Sequence, residues 1–379
     1  MDSQQLCDVE SFIILKEIVV HSYIVLICFF MAIYIMLLRK QSRNRRVIRY
    51  CMSARIPKIL SHLNVLIHDN DIVCIDKPRM DRNAFNILAS LAKNIGGLTD
   101  SKKMLSTEKL AMFLNTLAHH EKNKSIKVDY IRSGWSVSRA FNECLRVILK
   151  LTPVLLVKPN PVLEDDTDDR WKWFKGCLGA LDGTYISIRV EAIYKPRYRT
   201  RKGDITTNVL GVCNRNLNFI YVLPGWEGST ADGCVLRDVV VRKYGLTVPQ
   251  GYRYWLKDWQ GNNPSHRCRE ELFNMKHVRA RNVIEREFEL LKGRWGILKN
   301  PSWYSVKVHN RIISACCLIH NFIGREMEAD PLDVEMEFHM ENQHEHENIN
   351  TIEVSDEWTT WRDELAQSMW NERLGNQSL

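Results

Sequence analysis

Two carboxylates stand at positions where acidic side chains are unusual. Asp182 lies at the centre of "GALDGTYISIRV", an alternating run that is typical of a strand. Glu285 lies among apolar residues in "ARNVIEREFELLKGRWGIL", whose spacing predicts a long amphipathic helix. A buried carboxylate is unfavourable unless it is paired or bound to a cation, so Asp182 needs a partner. The two acids together suggest a divalent-cation site, whereas Glu285 alone could simply pair with Arg281, Arg286 or Lys292.

The elements that would position these acids begin after Trp171. "GALDGTYISIRV", "TNVLGVCN" and "NFIYVLPGW" predict three consecutive strands, with asparagine-rich turn sequence between the last two. "GCVLRDVVVRKYG" predicts a short helix, "GYRYWL" a fourth strand, and two longer helices follow. The order β-β-β-α-β-α is the ground plan of RNase H-like nucleases, in which acids from the first strand, the fourth strand and the last helix hold two divalent ions. We therefore expect an α/β (α+β) fold with a mixed sheet flanked by helices.

Several longer motifs carry a family resemblance in the right order. "GCLGALDGTYISI", "YRTRKGDITTNVLGVC", "FIYVLPGWEGSTADGCVLRD", "ELFNMKHVRARNVIEREFELLKGRWGIL" and "RIISACCLIHNFI" closely resemble the plant Harbinger/PIF-type transposase-derived nucleases, which have an Asp-Asp-Glu catalytic domain. The resemblance implies DNA cleavage or strand transfer with Mg²⁺ or Mn²⁺, action in the nucleus, and a Myb-like protein partner. It also implies that Asp182 is the first catalytic and metal-binding acid and Glu285 the last.

The second catalytic acid is where this sequence departs from the family pattern. With Gly251 aligned to the family's strand glycine, the catalytic position falls on Lys257, and Asp258 comes one residue late. Since side chains alternate faces along a strand, such a slip would turn Asp258 away from the ions. Asp232, in "GSTADG", is a substitute ligand without geometric support from its expected loop position. We therefore expect a nuclease shortened near 251–264 with weak or no activity, or else an inactive derivative that binds DNA or protein.

Two groups of basic residues are candidates for contact with DNA. The first follows the Asp182 strand and is interleaved with tyrosines, which suits phosphate binding, although a solvated charged loop is the alternative; it includes Arg197, Arg199, Arg201 and Lys202. The second lies in "SGWSVSRAFNECLRVIL", where Ser136, Ser138 and Arg139 would lead the second helix of a helix-turn-helix. An ordinary pair of helices is the alternative, and the sequence alone favours it.

The N-terminal region contains an apolar run over residues 18–38, followed by a basic stretch over 39–58. Its length and the position of its positive flank predict a membrane anchor with the rest of the chain cytoplasmic. A buried helix or an artefact of translation are the alternatives. The eleven cysteines contain no CxxC pair, which indicates reduced thiols and no structural zinc.

The chain is thus expected to contain five segments. They are the apolar and basic N-terminus, 1–60; a helical, helix-turn-helix-like domain, 61–155; an acidic linker, 156–170; the nuclease domain, 171–325; and a tail, 326–379. Between Glu326 and Glu364 the tail carries fourteen acids against one base, Arg362, which predicts a solvated segment. Its tryptophan-rich end predicts a helix that docks on the rest of the protein.

Overall fold

A computed structural model describes residues 3–101, 104–230, 232–242, 245, 268–328 and 356–377. The chain divides into two compact units, residues 1–62 and 63–379. The first unit consists of one long helix, α1 (Ser3–Asn64), whose last two residues belong to the second unit. The predicted fourth strand, 251–256, and the acidic stretch, 329–355, lie outside the described residues.

Helix α1 contains a segment, Leu15–Arg39, that is long and apolar enough to cross a membrane. Its mean hydropathy is 2.5 over 25 residues, and none of it is buried within the protein. Large side chains such as Phe29 and Met36 are well exposed.

Most of residues 65–155 form helices. The helices are α2 (Asp71–Asp76), α3 (Arg82–Asn94), α4 (Ser106–His119), α5 (Asn123–Asp129), α6 (Gly134–Lys150) and α7 (Thr152–Leu155). At the start of α4, Asp100 accepts a hydrogen bond from the Ser106 backbone N–H at 2.6 Å. Helix α6 is capped by Ser133, which accepts from the Ser136 N–H.

The second half of the unit is built on a three-stranded antiparallel sheet. Its strands are β1 (Ala180–Ser187), β2 (Thr206–Cys213) and β3 (Phe219–Glu227), in the order β1-β2-β3. All three coincide with the predicted alternating runs. Between β1 and β2 lies α8 (Lys195–Tyr198). Because the fourth strand is not among the described residues, the mixed character of the predicted sheet stays a prediction.

Helices cover both faces of the sheet. One face packs on α10 (Arg269–Arg294), and a small apolar cluster of Leu210, Leu181 and Val239 lies between the other face and α9 (Asp232–Val241). Two further helices are α11 (Gly296–Lys299) and α12 (Val306–Glu326). The resulting arrangement is α/β, with a small sheet in a mostly helical protein, as expected.

Close approach between α10 and the sheet depends on Gly211. This residue pairs with Asp182 across the sheet. A Cβ atom at position 211 would lie 2.6 Å from Cζ of Phe288 and 3.3 Å from Cε1 of Phe219. The absence of a side chain therefore lets the Phe288 ring lie directly against the β2 backbone, one helical turn from Glu285.

The helical segment and the sheet segment share one core. The rings of Phe141 on α6 and Tyr304 before α12 stack with centroids 5.0 Å apart. On α12, Asn321 accepts a hydrogen bond from the Phe219 N–H and donates to the carbonyls of Phe219 and Leu155. Both segments therefore belong to one compact unit, residues 63–379.

The C-terminal helix docks on α10, as its tryptophans suggested. This helix, α13 (Asp356–Gln377), buries Ala366 and Met369. Lys172 pairs with Glu372 at 3.0 Å, which adds a link to the segment before β1. The helix therefore covers the flank of the element that carries Glu285.

Candidate active site

The structure brings Asp182 and Glu285 together through Arg281. One terminal guanidinium nitrogen of Arg281 lies 2.8 Å from Asp182 Oδ2 and 2.9 Å from Glu285 Oε1. These two carboxylate oxygens are therefore at most about 5.7 Å apart. Asp182 comes from β1, whereas Arg281 and Glu285 occupy neighbouring turns of α10 at i,i+4 spacing. The predicted pairing of a strand acid with a helix acid is thus realised in the fold.

Both carboxylates retain access to solvent. The side chain of Asp182 is 13% exposed, and those of Arg281 and Glu285 are 28% and 31% exposed. Burial is the main influence on the Asp182 carboxyl and raises its pKa; the nearby Arg281 charge opposes that rise, and the Glu285 charge adds to it. The Asp182 carboxyl is therefore poorly solvated, and the Arg281 charge favours its ionised form.

Further polar groups continue along the same side of α10. Lys292, two turns beyond Glu285, donates a hydrogen bond of 2.7 Å to the hydroxyl of Thr184, which is two residues beyond Asp182 on β1. Burial lowers the pKa of Lys292. One turn before Arg281, burial and the Arg281 charge lower the pKa of His277 to about 4. The face of α10 toward β1 thus carries two cationic side chains, Arg281 and Lys292, beside Glu285.

The donor set suits one hard divalent cation. Carboxylate oxygens are the ligands that Mg²⁺ and Mn²⁺ prefer, and Asp182 and Glu285 supply them from two rigid elements. Among the described residues, however, no group of three or more acidic, histidine or cysteine side chains is placed to hold a metal ion. Asp258 lies outside the described residues. Asp232 begins α9, so its expected position on a loop is wrong.

The predicted DNA-contacting residues of the loop lie at the other end of β1. Asp182 is near the start of the strand, and the loop leaves from Ser187, five residues on, which is about 17 Å along the strand. Arg199, Arg201 and Lys202 are exposed there. Arg197 pairs with Glu227, which neutralises part of this charge. Adjacency in sequence therefore does not make the loop part of the acidic cluster.

The remaining predicted DNA contact, Arg139, is on a separate element. It is exposed on the first turns of α6, with its guanidinium carbon 5.2 Å from the ring centroid of Trp135. Trp135 itself is 69% exposed. A second pair of this kind, Arg189 on Trp303 at 4.0 Å, lies beyond the end of β1. Sequence inspection did not identify either stacked pair.

Sequence reasoning missed the contact between Arg281 and Asp182, which are 99 residues apart. It also missed the contact between Lys292 and Thr184, at a separation of 108 residues. A signal was present, because positions 281, 285 and 292 recur at helical spacing and so share one face with Phe288. The sequence did not reveal that this face is directed at β1.

Comparison with known protein families identifies two matched segments. Residues 181–321 match a family described as DDE superfamily endonuclease. Residues 60–150 match a family described as a domain of unknown function, DUF8040. No solved structure matches the chain significantly.

Curated relatives come from both animals and plants. The chain is 28% identical over 188 residues to the Homo sapiens protein named "Putative nuclease HARBI1", covering 45% of this chain and 53% of that protein. It is 27% identical over 185 residues to "Protein ALP1-like" of Arabidopsis thaliana, covering 41% of this chain and 45% of that protein. The match therefore spans about half the length of each relative.

Proposed function

We propose that this chain, a relative of the Harbinger transposase-derived nucleases with a DDE superfamily endonuclease domain at residues 181–321, hydrolyses DNA phosphodiesters with low efficiency. The family resemblance seen in the sequence is confirmed, although its restriction to plants is not. The convergence of Asp182 and Glu285 on a single cationic nitrogen is the observation that supports a nuclease best.

Asp182 and Glu285 would hold the divalent cation, Mg²⁺ or Mn²⁺. When bound, such an ion activates water and stabilises negative charge on the leaving oxygen. Asp182 contributes a carboxylate from a strand and Glu285 one from a helix, so the two ligands are fixed relative to each other by the packing of α10 on the sheet. The loop bearing Arg199, Arg201 and Lys202 would contact DNA phosphates at a distance from the cleavage point.

Low efficiency is expected because the sequence matches only the first and last acids of the family pattern, Asp182 and Glu285. Two carboxylates from Asp182 and Glu285 can hold one ion, whereas two-ion chemistry uses carboxylates that are shared between ions. The one-residue slip of Asp258 against the family pattern supports the same conclusion. The second candidate function is an inactive derivative that binds DNA or protein, and it is favoured by the occupation of the acidic cluster by Arg281.

A plasmid-nicking assay tests the proposal. The wild-type chain is incubated with supercoiled DNA and Mg²⁺ or Mn²⁺, beside Asp182→Asn, Glu285→Gln and the control Glu289→Gln, an exposed acid one turn further along α10. We expect slow nicking that needs the metal, is lost in the first two variants and persists in the control. Rapid cleavage that Asp182→Asn abolishes would contradict the expected impairment. No nicking above that of Asp182→Asn would favour the binding derivative.

Location and partners belong to the same proposal. A Harbinger-type nuclease would act on DNA in the nucleus and could be recruited by a Myb-like protein, which co-purification from nuclear extract tests. The exposed apolar segment Leu15–Arg39 instead supports attachment to a membrane. Resistance to extraction with high salt and carbonate would establish attachment, and release would exclude it.

A further inference from the structure

We infer that Arg281 is an internal competitor for the divalent cation of the acidic cluster. The inference rests on the proposed function, because that function supplies the cation. The guanidinium group already does what a bound cation would do, since one of its nitrogens contacts Asp182 at 2.8 Å and Glu285 at 2.9 Å. One of the two negative charges of the cluster is therefore balanced by the chain itself.

Arg281 and a divalent ion cannot both occupy this position. The two carboxylate oxygens are at most about 5.7 Å apart, and the nitrogen of Arg281 lies between them. A second cation placed there would meet both the atom and its positive charge. Binding of an ion by Asp182 and Glu285 together therefore requires the Arg281 side chain to leave.

The Arg281 side chain can leave the acidic cluster. It is 28% exposed, so rotation about its own bonds can carry the guanidinium into water without moving α10. Raising the pH within the physiological range cannot release Arg281, because arginine stays protonated. We call the contact of Arg281 with Asp182 and Glu285 the latch. It blocks the site by its volume and its charge, and it opens when a competing cation or a substrate draws Arg281 away.

The latch lowers the apparent affinity for the ion by the fraction of molecules in which Arg281 is withdrawn. Replacing Arg281 should consequently tighten binding of the ion. Without its positive charge, the two carboxylates repel each other in the free protein. We expect the dissociation constant for Mn²⁺ to fall by about tenfold or more in Arg281→Met, which is within the usual range of coupling between two binding events.

The experiment measures Mn²⁺ binding directly, without DNA. The full-length chain, kept in mild detergent because of its apolar helix, is titrated with Mn²⁺ and free ion is followed by electron paramagnetic resonance. The variants are Arg281→Met, the double variant Arg281→Met with Asp182→Asn, and the matched control Arg279→Met, an exposed arginine on the same helix. Arg281→Gln serves as a second test variant, because it keeps a hydrogen-bond donor and so preserves more of the fold.

The outcomes separate the latch from the nuclease proposal. Tighter binding in Arg281→Met or Arg281→Gln, lost when Asp182 is also changed and absent from the Arg279 control, supports the latch. Equal binding in the wild type and the Arg281 variants, still dependent on Asp182, overturns the latch but leaves the metal site intact. Absence of Asp182-dependent binding in every variant overturns both. The rise in melting temperature on adding Mn²⁺ should follow the same order and provides an independent readout.

Discussion

The contact between α10 and the sheet can be tested by adding one methyl group, in Gly211→Ala. The new Cβ would lie 2.6 Å from the Phe288 ring, whereas ordinary contacts are 3.4–4 Å, so the ring or the helix must move by about 1 Å. Overpacking of this kind costs roughly 1–3 kcal/mol. Replacing glycine by alanine also lowers the conformational entropy of the unfolded chain, which offsets about 0.4–1 kcal/mol of that cost. We expect a net loss of about 1–2 kcal/mol in the free energy of unfolding.

The assay is urea denaturation followed by tryptophan fluorescence. The matched control is Gly324→Ala on α12, because a Cβ there meets nothing within 4 Å. That variant should be more stable than the wild type by about 0.5–1 kcal/mol. The double variant Gly211→Ala with Phe288→Leu should lose less stability than the sum of its parts, since the shorter side chain makes room for the methyl group. Unchanged stability in Gly211→Ala, or strict additivity in the double variant, would refute the argument that Phe288 rests on the β2 backbone.

Three further predictions concern the core. Arg132 makes two hydrogen bonds with Glu108, at 2.6 and 2.7 Å, and both residues are buried; Glu108→Ala should lower the free energy of unfolding by about 3–5 kcal/mol in urea denaturation. Asn321→Leu leaves the buried N–H and carbonyl of Phe219 without their partner and should cost about 1–3 kcal/mol for each unsatisfied group, measured in the same way. Burial lowers the pKa of His309 to about 4, so the unfolded chain takes up a proton from about pH 6.5 downward while the native state does not. Wild-type stability should therefore fall between pH 6.5 and 4 more steeply than that of His309→Gln, and parallel melting-temperature curves over that range would contradict the prediction.

Patterns of side chains predicted the elements better than their contacts. Strands β1 to β3 are visible in the sequence because apolar residues alternate, and α12 is visible because its apolar face recurs at helical spacing. Helix α10 begins at Arg269, well before the predicted start at residue 280. The prediction missed these first turns because they bury few apolar residues.

The acids of the site were identifiable, whereas their electrostatic state was not. Asp182 stands out because a carboxylate is rare in the middle of a strand, and the family motifs located Glu285. Whether such acids meet a metal, a lysine or an arginine depends on how α10 is rotated against β1, and that rotation is set by packing at Gly211 and Phe288. The contact between Arg281 and Asp182 joins residues 99 positions apart, so no local sequence pattern predicts it.

The docking of α13 has a consequence for how the protein is made. Its contacts join residues that are far apart along the polypeptide, with Lys172 and Glu372 separated by 200 positions and Arg269 and Gln367 by 98. On the ribosome, α10 emerges long before the helix that covers its flank. During translation the flank of α10 that α13 covers therefore stays exposed until α13 has also left the ribosome.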